Sequence, residues 1–157
     1  MIRIKESKSA DTRSAEGNIT EQALYDASIQ HIEDVTKALH WMQDELQKRL
    51  EAHDHTKLSH IEEFYGDFVR ARKDKSFDFC KANWYQRHIT EERHHLDARV
   101  PEDVNMFDLM ERIADCVMAG MARTGKVFPD KISDEVIVKA YHNTIELLKN
   151  NVKVDKE

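Results

Sequence analysis

At 157 residues the chain is long enough for one domain with its own core, and four Gly and two Pro against 34% charged residues point to a mostly helical protein. A net charge of −6 argues against a general nucleic-acid binder or duplex partner, so a phosphate-bearing ligand would need a local cluster of cations. No apolar run approaches the ~20 residues of a membrane span. Cys80 and Cys116 lack any Cys-x-x-Cys pairing, which suits a reducing cytoplasm and offers no thiolate zinc site, and the opening Met-Ile-Arg-Ile-Lys has no signal-peptide pattern.

Residues 1–17, rich in Lys, Arg, Ser and Glu, read as a mobile tail with little to bury. Asn18 followed by Glu21 has the capping-box spacing and predicts a helix from about Ile19 or Thr20. Its apolar stripe, Leu24, Ala27, Ile32, Val35, Ala38, Leu39 and Met42, is expected to face the core, and it continues through Leu46 and Leu50 to His53. His31 lies in that stripe and, taken alone, reads as a core histidine. Asp44 and Gln47 repeat the capping spacing. Ser59 and Glu62 start the next helix, whose face is Ile61, Phe64, Tyr65, Phe68 and Val69.

Lys73 to Asn83 is a connection that carries Phe77 and Phe79 inward, and Trp84-Tyr85 opens a helix running to the His94-His95 pair before Pro101. Asn105 caps a helix from Met106 to about Arg123, stopped by Gly125, with a core stripe of Phe107, Met110, Ala114, Val117 and Met121. Ser133 caps a last helix over 134–150 with the stripe Ile137, Ala140, Tyr141, Thr144, Leu147 and Leu148, and 151–157 form a second tail. Five to six helices and no strand pattern give an all-α, single-domain helical bundle over 18–150.

The chemistry lies in the histidines. Adjacent His53 and Asp54 offer a borderline nitrogen and a hard oxygen at one point of the backbone. Of nine histidines, five fall in two clusters, His53 with His55 and His88 with His94 and His95. His88 and His95 are two turns apart and share a face on an unbroken helix with Glu92 between them; His94 joins if that helix ends near Arg93. Glu111 and Asp115 sit in an apolar row of their helix, where an unpaired carboxylate is costly. The competing structural role is a histidine-rich surface, or core histidines bonded to Glu62 and Glu92.

The order His31, His53-Asp54, His-rich helix, Asp115 resembles the HD-domain superfamily of helical metal-dependent phosphohydrolases, and Lys57 fits the His-Asp-x-x-Lys form of its motif. His-Asp-His-Thr-Lys-Leu-Ser-His-Ile-Glu-Glu-Phe, Trp-Tyr-Gln-Arg-His and Glu-Arg-Ile-Ala-Asp are similar to segments of an uncharacterised family common in phages, which would place the protein in a host cytoplasm. The likeness covers roughly residues 31–123. It implies that His31, His53, Asp54 and Asp115 hold one ion and that His88 with His94 or His95 holds a second; a short His88-to-His94 spacing and a missing Gly-Tyr-Pro element leave the number at one or two.

Mixed His and carboxylate ligation suits Fe, Mn, Co, Zn or Ni without choosing among them. Such an ion lowers the pKa of bound water towards ~7 and so favours hydrolysis of a nucleotide or other small phosphate ester by a phosphomonoesterase or phosphodiesterase. Lys57 then polarises a phosphoryl oxygen or protonates a leaving group, beside Asp54 at the catalytic centre. Arg93, Arg123 and Lys126 are candidate phosphate contacts, and Glu62, Glu92 and Glu111 are candidates to orient the ligating histidines. A di-iron oxygenase-type centre, a non-catalytic metal-binding protein and a metal-free interaction module are the alternatives, and a homodimer is compatible with each. For His31 and His53 to share an ion, a helix rising ~1.5 Å per residue must break between them, and the Asp44–Gln47 pattern places that break near 41–44.

Overall fold

The computed structural model describes residues 1–7 and 20–156. Its elements run β1 (Ile2–Lys5), α1 (Glu21–Ala52), α2 (His55–Ser59), α3 (Ile61–Lys73), a 3-10 turn (Phe79–Lys81), α4 (Asn83–Glu91), α5 (Met106–Thr124), α6 (Asp134–Asn150) and β2 (Val152–Asp155). The fold is all-α with one two-stranded sheet, and no helix among the described residues is long and apolar enough to cross a membrane.

The chain divides into two compact units, Met1–Gln47 with Ile145–Glu157, and Lys48–Thr144. In the first unit β1 lies parallel to β2 in the register Ile2↔Val152 to Lys5↔Asp155. Arg3 clamps Asp155 through two bonds of 2.9 and 2.8 Å, and Gln30 donates to the Lys5 carbonyl. The start of the expected N-terminal tail is therefore a strand, as is most of the expected C-terminal tail; short polar alternation such as Arg-Ile-Lys carries too little apolar signal to stand out. Residues 8–17 of that tail, and Asn18, lie outside the described residues. Thr20 caps α1 instead, its Oγ1 accepting from the Ala23 N–H at 3.1 Å.

α1 is unbroken for 32 residues. The break expected near 41–44 is absent, because Trp-Met-Gln-Asp contains no Gly or Pro and a capping pattern alone does not stop a helix that can continue. The chain turns at Asp54, which takes the left-handed conformation (φ 54°, ψ 22°), the one non-glycine residue at positive φ among the described residues. Of the expected core stripe of α1, Ala27 is buried, but Ile32, Val35 and Leu39 are exposed, and the other buried side chain of the helix is Trp41, outside the stripe.

In the second unit Leu96, Val104, Leu109 and Ala140 form a buried core with Met106, Ile132 and Val136 packed against it. Phe64, Phe68, Phe79 and Trp84 make an aromatic layer, with Phe64 stacked on Trp84 at 3.8 Å between ring centres. α5 has the expected start and stop: Asn105 and Asp108 form a reciprocal capping box, and Gly125 ends it at φ 68°. Phe107 of the expected core stripe is buried, but the rest of the buried side is Asp108, Leu109, Arg112 and Gly120, while Met110, Ala114 and Met121 are exposed. Polar partners pull the helix round: Asp108 is fully buried, receives two 2.8 Å bonds from Arg93 and lies 3.1 Å from Arg49. Arg112 donates to Asp130, Asp97 and the His94 carbonyl.

Removing one member of a buried ion-pair set leaves the others uncompensated. Asp108→Ala is expected to lower the unfolding free energy by about 3 kcal/mol, read from urea melts, with Asp108→Asn losing less because the amide still closes part of the cap.

Candidate metal centre

The left-handed turn at Asp54 ends α1 and sets the site. It projects His53 and Asp54 from consecutive residues at the junction of α1 and α2, where straight continuation of the helix would have spread them around its axis. Asp accepts this conformation better than most residues, at an energy cost of order 1 kcal/mol. α4 stops at Glu91, so residues 92–95 form a turn, and His94 enters the site along with His88 and His95. Glu111 and Asp115, one turn apart on α5, face them from the other side.

Three groups of donor atoms result: His53, His94 and Glu111; Asp54, His88 and His95; and His53, Asp54 and Asp115, the atoms of each lying within 4.8 Å of one another. Asp54 belongs to two of them. Its Oδ1 lies 3.6 Å from His88 Nε2 and 3.7 Å from His94 Nε2, and its Oδ2 lies 3.5 Å from His53 Nε2. Asp54 Oδ1 and both ring nitrogens of His94 are buried without a hydrogen-bond partner. A fully buried imidazole and carboxylate oxygen left unsatisfied is costly, and a divalent cation is the partner that such a donor set accepts. These residues therefore fit a metal.

Proton positions follow from the partners. The Thr56 hydroxyl donates to Glu92 Oε1 at 2.6 Å, since the carboxylate can only accept, and so it receives the Nδ1 proton of His88 at 2.7 Å. That leaves a lone pair on His88 Nε2, directed at the cluster. The Thr56 N–H holds the same Glu92 oxygen at 2.9 Å, and Trp84 stacks on the His88 ring at 4.9 Å. His53 Nδ1 donates to Glu111 Oε1 at 2.9 Å, freeing its Nε2 in the same way. His94 Nδ1 is 3.0 Å from that Glu111 oxygen, but off the hydrogen-bonding direction. His88 and His95 meet Nε2 to Nε2 at 2.8 Å, a separation that needs a proton or a cation between the two nitrogens.

The charges agree with this picture. Burial lowers His88 against the pull of Asp54, and burial with His94 and His88 nearby takes His95 down to about 4, so both are neutral at neutral pH, as a metal would require of them. Burial works to raise Asp54 and Glu111, but both stay below the usual carboxylate range, Asp54 through the Lys57 ammonium with help from His53 and His94, Glu111 through His94 and His53. His94 is raised in spite of its burial by the Glu111 carboxylate, with Asp54 and Asp115 adding.

Of the residues singled out in the sequence, His53, Asp54, His88, His94, His95 and Asp115 converge. His31 does not. It lies exposed on α1, which runs unbroken from it to Ala52 beside His53, a rise of roughly 30 Å, beyond the reach of a shared ion. Lys57 pairs with Asp54 Oδ2 and is part-exposed. Glu92 and Glu111 orient histidines as expected, whereas Glu62 is exposed in the first turn of α3. Arg93 is held by Asp108 and Asp103, which keep its guanidinium charged and tie the 92–95 turn to α5. Arg123 lies over the Phe128 ring, about 12 Å along α5 from Asp115, and Lys126 follows in the next loop. Thr56, Trp84 and Arg112 position the site without having shown a sequence signal for that role, although Trp84 was expected in the core.

Comparison with protein-family models, with curated proteins and with solved structures returned no match to this chain. Fold and site together define an all-α protein with histidine–carboxylate groups able to hold a metal ion.

Glu111→Gln is expected to weaken Mn2+ or Zn2+ binding 10- to 100-fold by titration calorimetry, as removal of orienting partners does, while His31→Ala leaves it unchanged. A second expectation concerns chelator-treated protein. His95 titrates near 4 when folded and near ~6.5 when unfolded, so the unfolded chain takes up the extra proton as pH falls through that interval and stability drops. His95→Asn should flatten the fall in urea midpoint between about pH 7 and pH 5.

Proposed function

We propose that the protein is a divalent-metal-dependent phosphohydrolase acting on a nucleotide or other small phosphate ester. The observation that carries this reading is the convergence of imidazole nitrogens on both oxygens of Asp54, one of them buried and unpartnered. His53, Asp54 and Asp115 would hold one ion and Asp54, His88 and His95 a second, with His94 between them. When bound, such an ion offsets the site's carboxylates, acidifies water and polarises a phosphoryl oxygen.

The chain's own residues supply the rest. Glu111 and the Thr56–Glu92 pair fix the tautomers of His53 and His88 before any ligand arrives, so their lone pairs need no reorganisation. Trp84 and Phe64 close the apolar side and keep water from His88. Lys57 stands at the rim, exposed enough to meet a substrate. Its ammonium, neutralising Asp54 in the resting site, donates to a phosphoryl oxygen or delivers a proton to the departing alkoxide. The resemblance to HD-domain phosphohydrolases supports this choice of reaction over others open to the same ligands.

Protein stripped with chelator and reloaded with Mn2+, Fe2+, Co2+ or Zn2+ is expected to release phosphate, or cleave a diester, from members of a nucleotide library. Asp54→Asn should abolish turnover and Lys57→Ala should lower kcat/KM about 100-fold, a range common for one positioned proton donor. Stoichiometric metal binding without turnover on any phosphate ester would overturn the reading, and oxygen uptake by the anaerobically iron-loaded protein would replace it with di-iron chemistry.

A further inference from the structure

The outward face of α1 carries the second inference, independent of the metal centre. Tyr25, Ser28, Ile32, Val35, Leu39, Met42 and Leu46 recur at alternating steps of three and four, the 3.5-residue period of a helix that packs along another helix. Tyr25, Ile32, Val35, Leu39 and Leu46 are 62, 58, 43, 59 and 38% exposed, flanked by Leu24, Ile29 and Leu50 at 38, 39 and 71%. The helix holds the charges Glu21, Asp26, Glu33, Asp34, Lys37, Asp44, Glu45, Lys48, Arg49 and Glu51, and none of them occupies a seam position. Two of its hydroxyls are already satisfied by their own helix, Ser28 by the Leu24 carbonyl and Thr36, beside the seam, by that of Ile32, both at 2.7 Å. Burial of this face therefore strands neither of these groups.

We infer that this face is where a second copy of the chain docks, helix against helix. A seam with a strict period and no charge in it meets its own copy with little like-charge repulsion, Glu45 beside Leu46 being the one carboxylate or ammonium at its flanking positions. Size agrees: at roughly 150–200 Å² for a fully exposed residue of this kind, the eight large side chains present on the order of 700 Å², close to the ~800 Å² per partner of a standard stable interface.

Sedimentation equilibrium on the full chain tests this. The expected mass is twice 18.4 kDa at micromolar concentration. Ile32→Glu and Leu39→Glu should each raise the dimer dissociation constant at least 100-fold with helical circular dichroism retained, because both sites face solvent in the single chain. Glu33→Lys, off the seam, should leave the mass doubled. If a glutamate variant fails to fold, the double variant Ile32→Ala, Leu39→Ala is expected to raise the constant at least 10-fold. A wild-type monomer up to hundreds of micromolar, or a dimer indifferent to the folded seam variants, would overturn the inference.

Discussion

A carboxylate placed out of water must be matched by positive charge or by donors, and the second unit of this protein is arranged around one such carboxylate, that of Asp54. Lys57 answers one of its oxygens and the other is left with imidazole nitrogens around it. Each contributing segment is itself tied down. Arg112 pins the backbone of the 92–95 turn to α5 through the His94 carbonyl, and Asp108 draws Arg93 and Arg49 together beneath it. The polar ties thus hold three separate segments in register where a core of few fully buried apolar side chains would do so less well.

The orienting layer gives the site its chemical character. Glu92 reads Thr56 twice, through its N–H and its hydroxyl, and so fixes a proton on the far nitrogen of His88. Glu111 does the same for His53. Carboxylates in these positions keep the facing nitrogens bare and basic, so that a cation held there would take the place of the proton between His88 and His95. The same preorganisation serves hydrolysis and mere retention of an ion equally, which is why turnover, more than affinity, distinguishes the functions.

Much of this was legible in the sequence, for reasons that also mark where it stopped being so. Helix ends with local chemistry were readable: Asn105, Gly125 and Ser133 act where their side chains or their conformational freedom predict. Glu111 and Asp115 were readable as neighbours because four residues make a turn. The left-handed state of Asp54 was not, since nothing in His-Asp-His-Thr separates a turn from one more helical residue. His31 was misplaced because motif order carries no distance, while the absence of Gly and Pro from 21 to 52 already favoured one straight rod. Only part of the apolar stripes of α1 and α5 turned inward, Ala27 and Phe107 being buried while Ile32, Val35, Leu39, Met110 and Met121 are exposed: periodicity marks an apolar face and says nothing of what covers it.

The parallel strands at the two ends of the fold have a kinetic consequence. Joining residues 2–5 to 152–155 in an unfolded chain closes a loop of about 150 residues, at an entropic cost on the order of 4 kcal/mol or more, for a handful of backbone bonds each worth about 1 kcal/mol. Such a pairing cannot nucleate folding and must zip only after the intervening helices have shortened the path. It is accordingly the place to look for the earliest hydrogen exchange and the first protease nick, events that would report the ends parting while the histidine cluster stays shut.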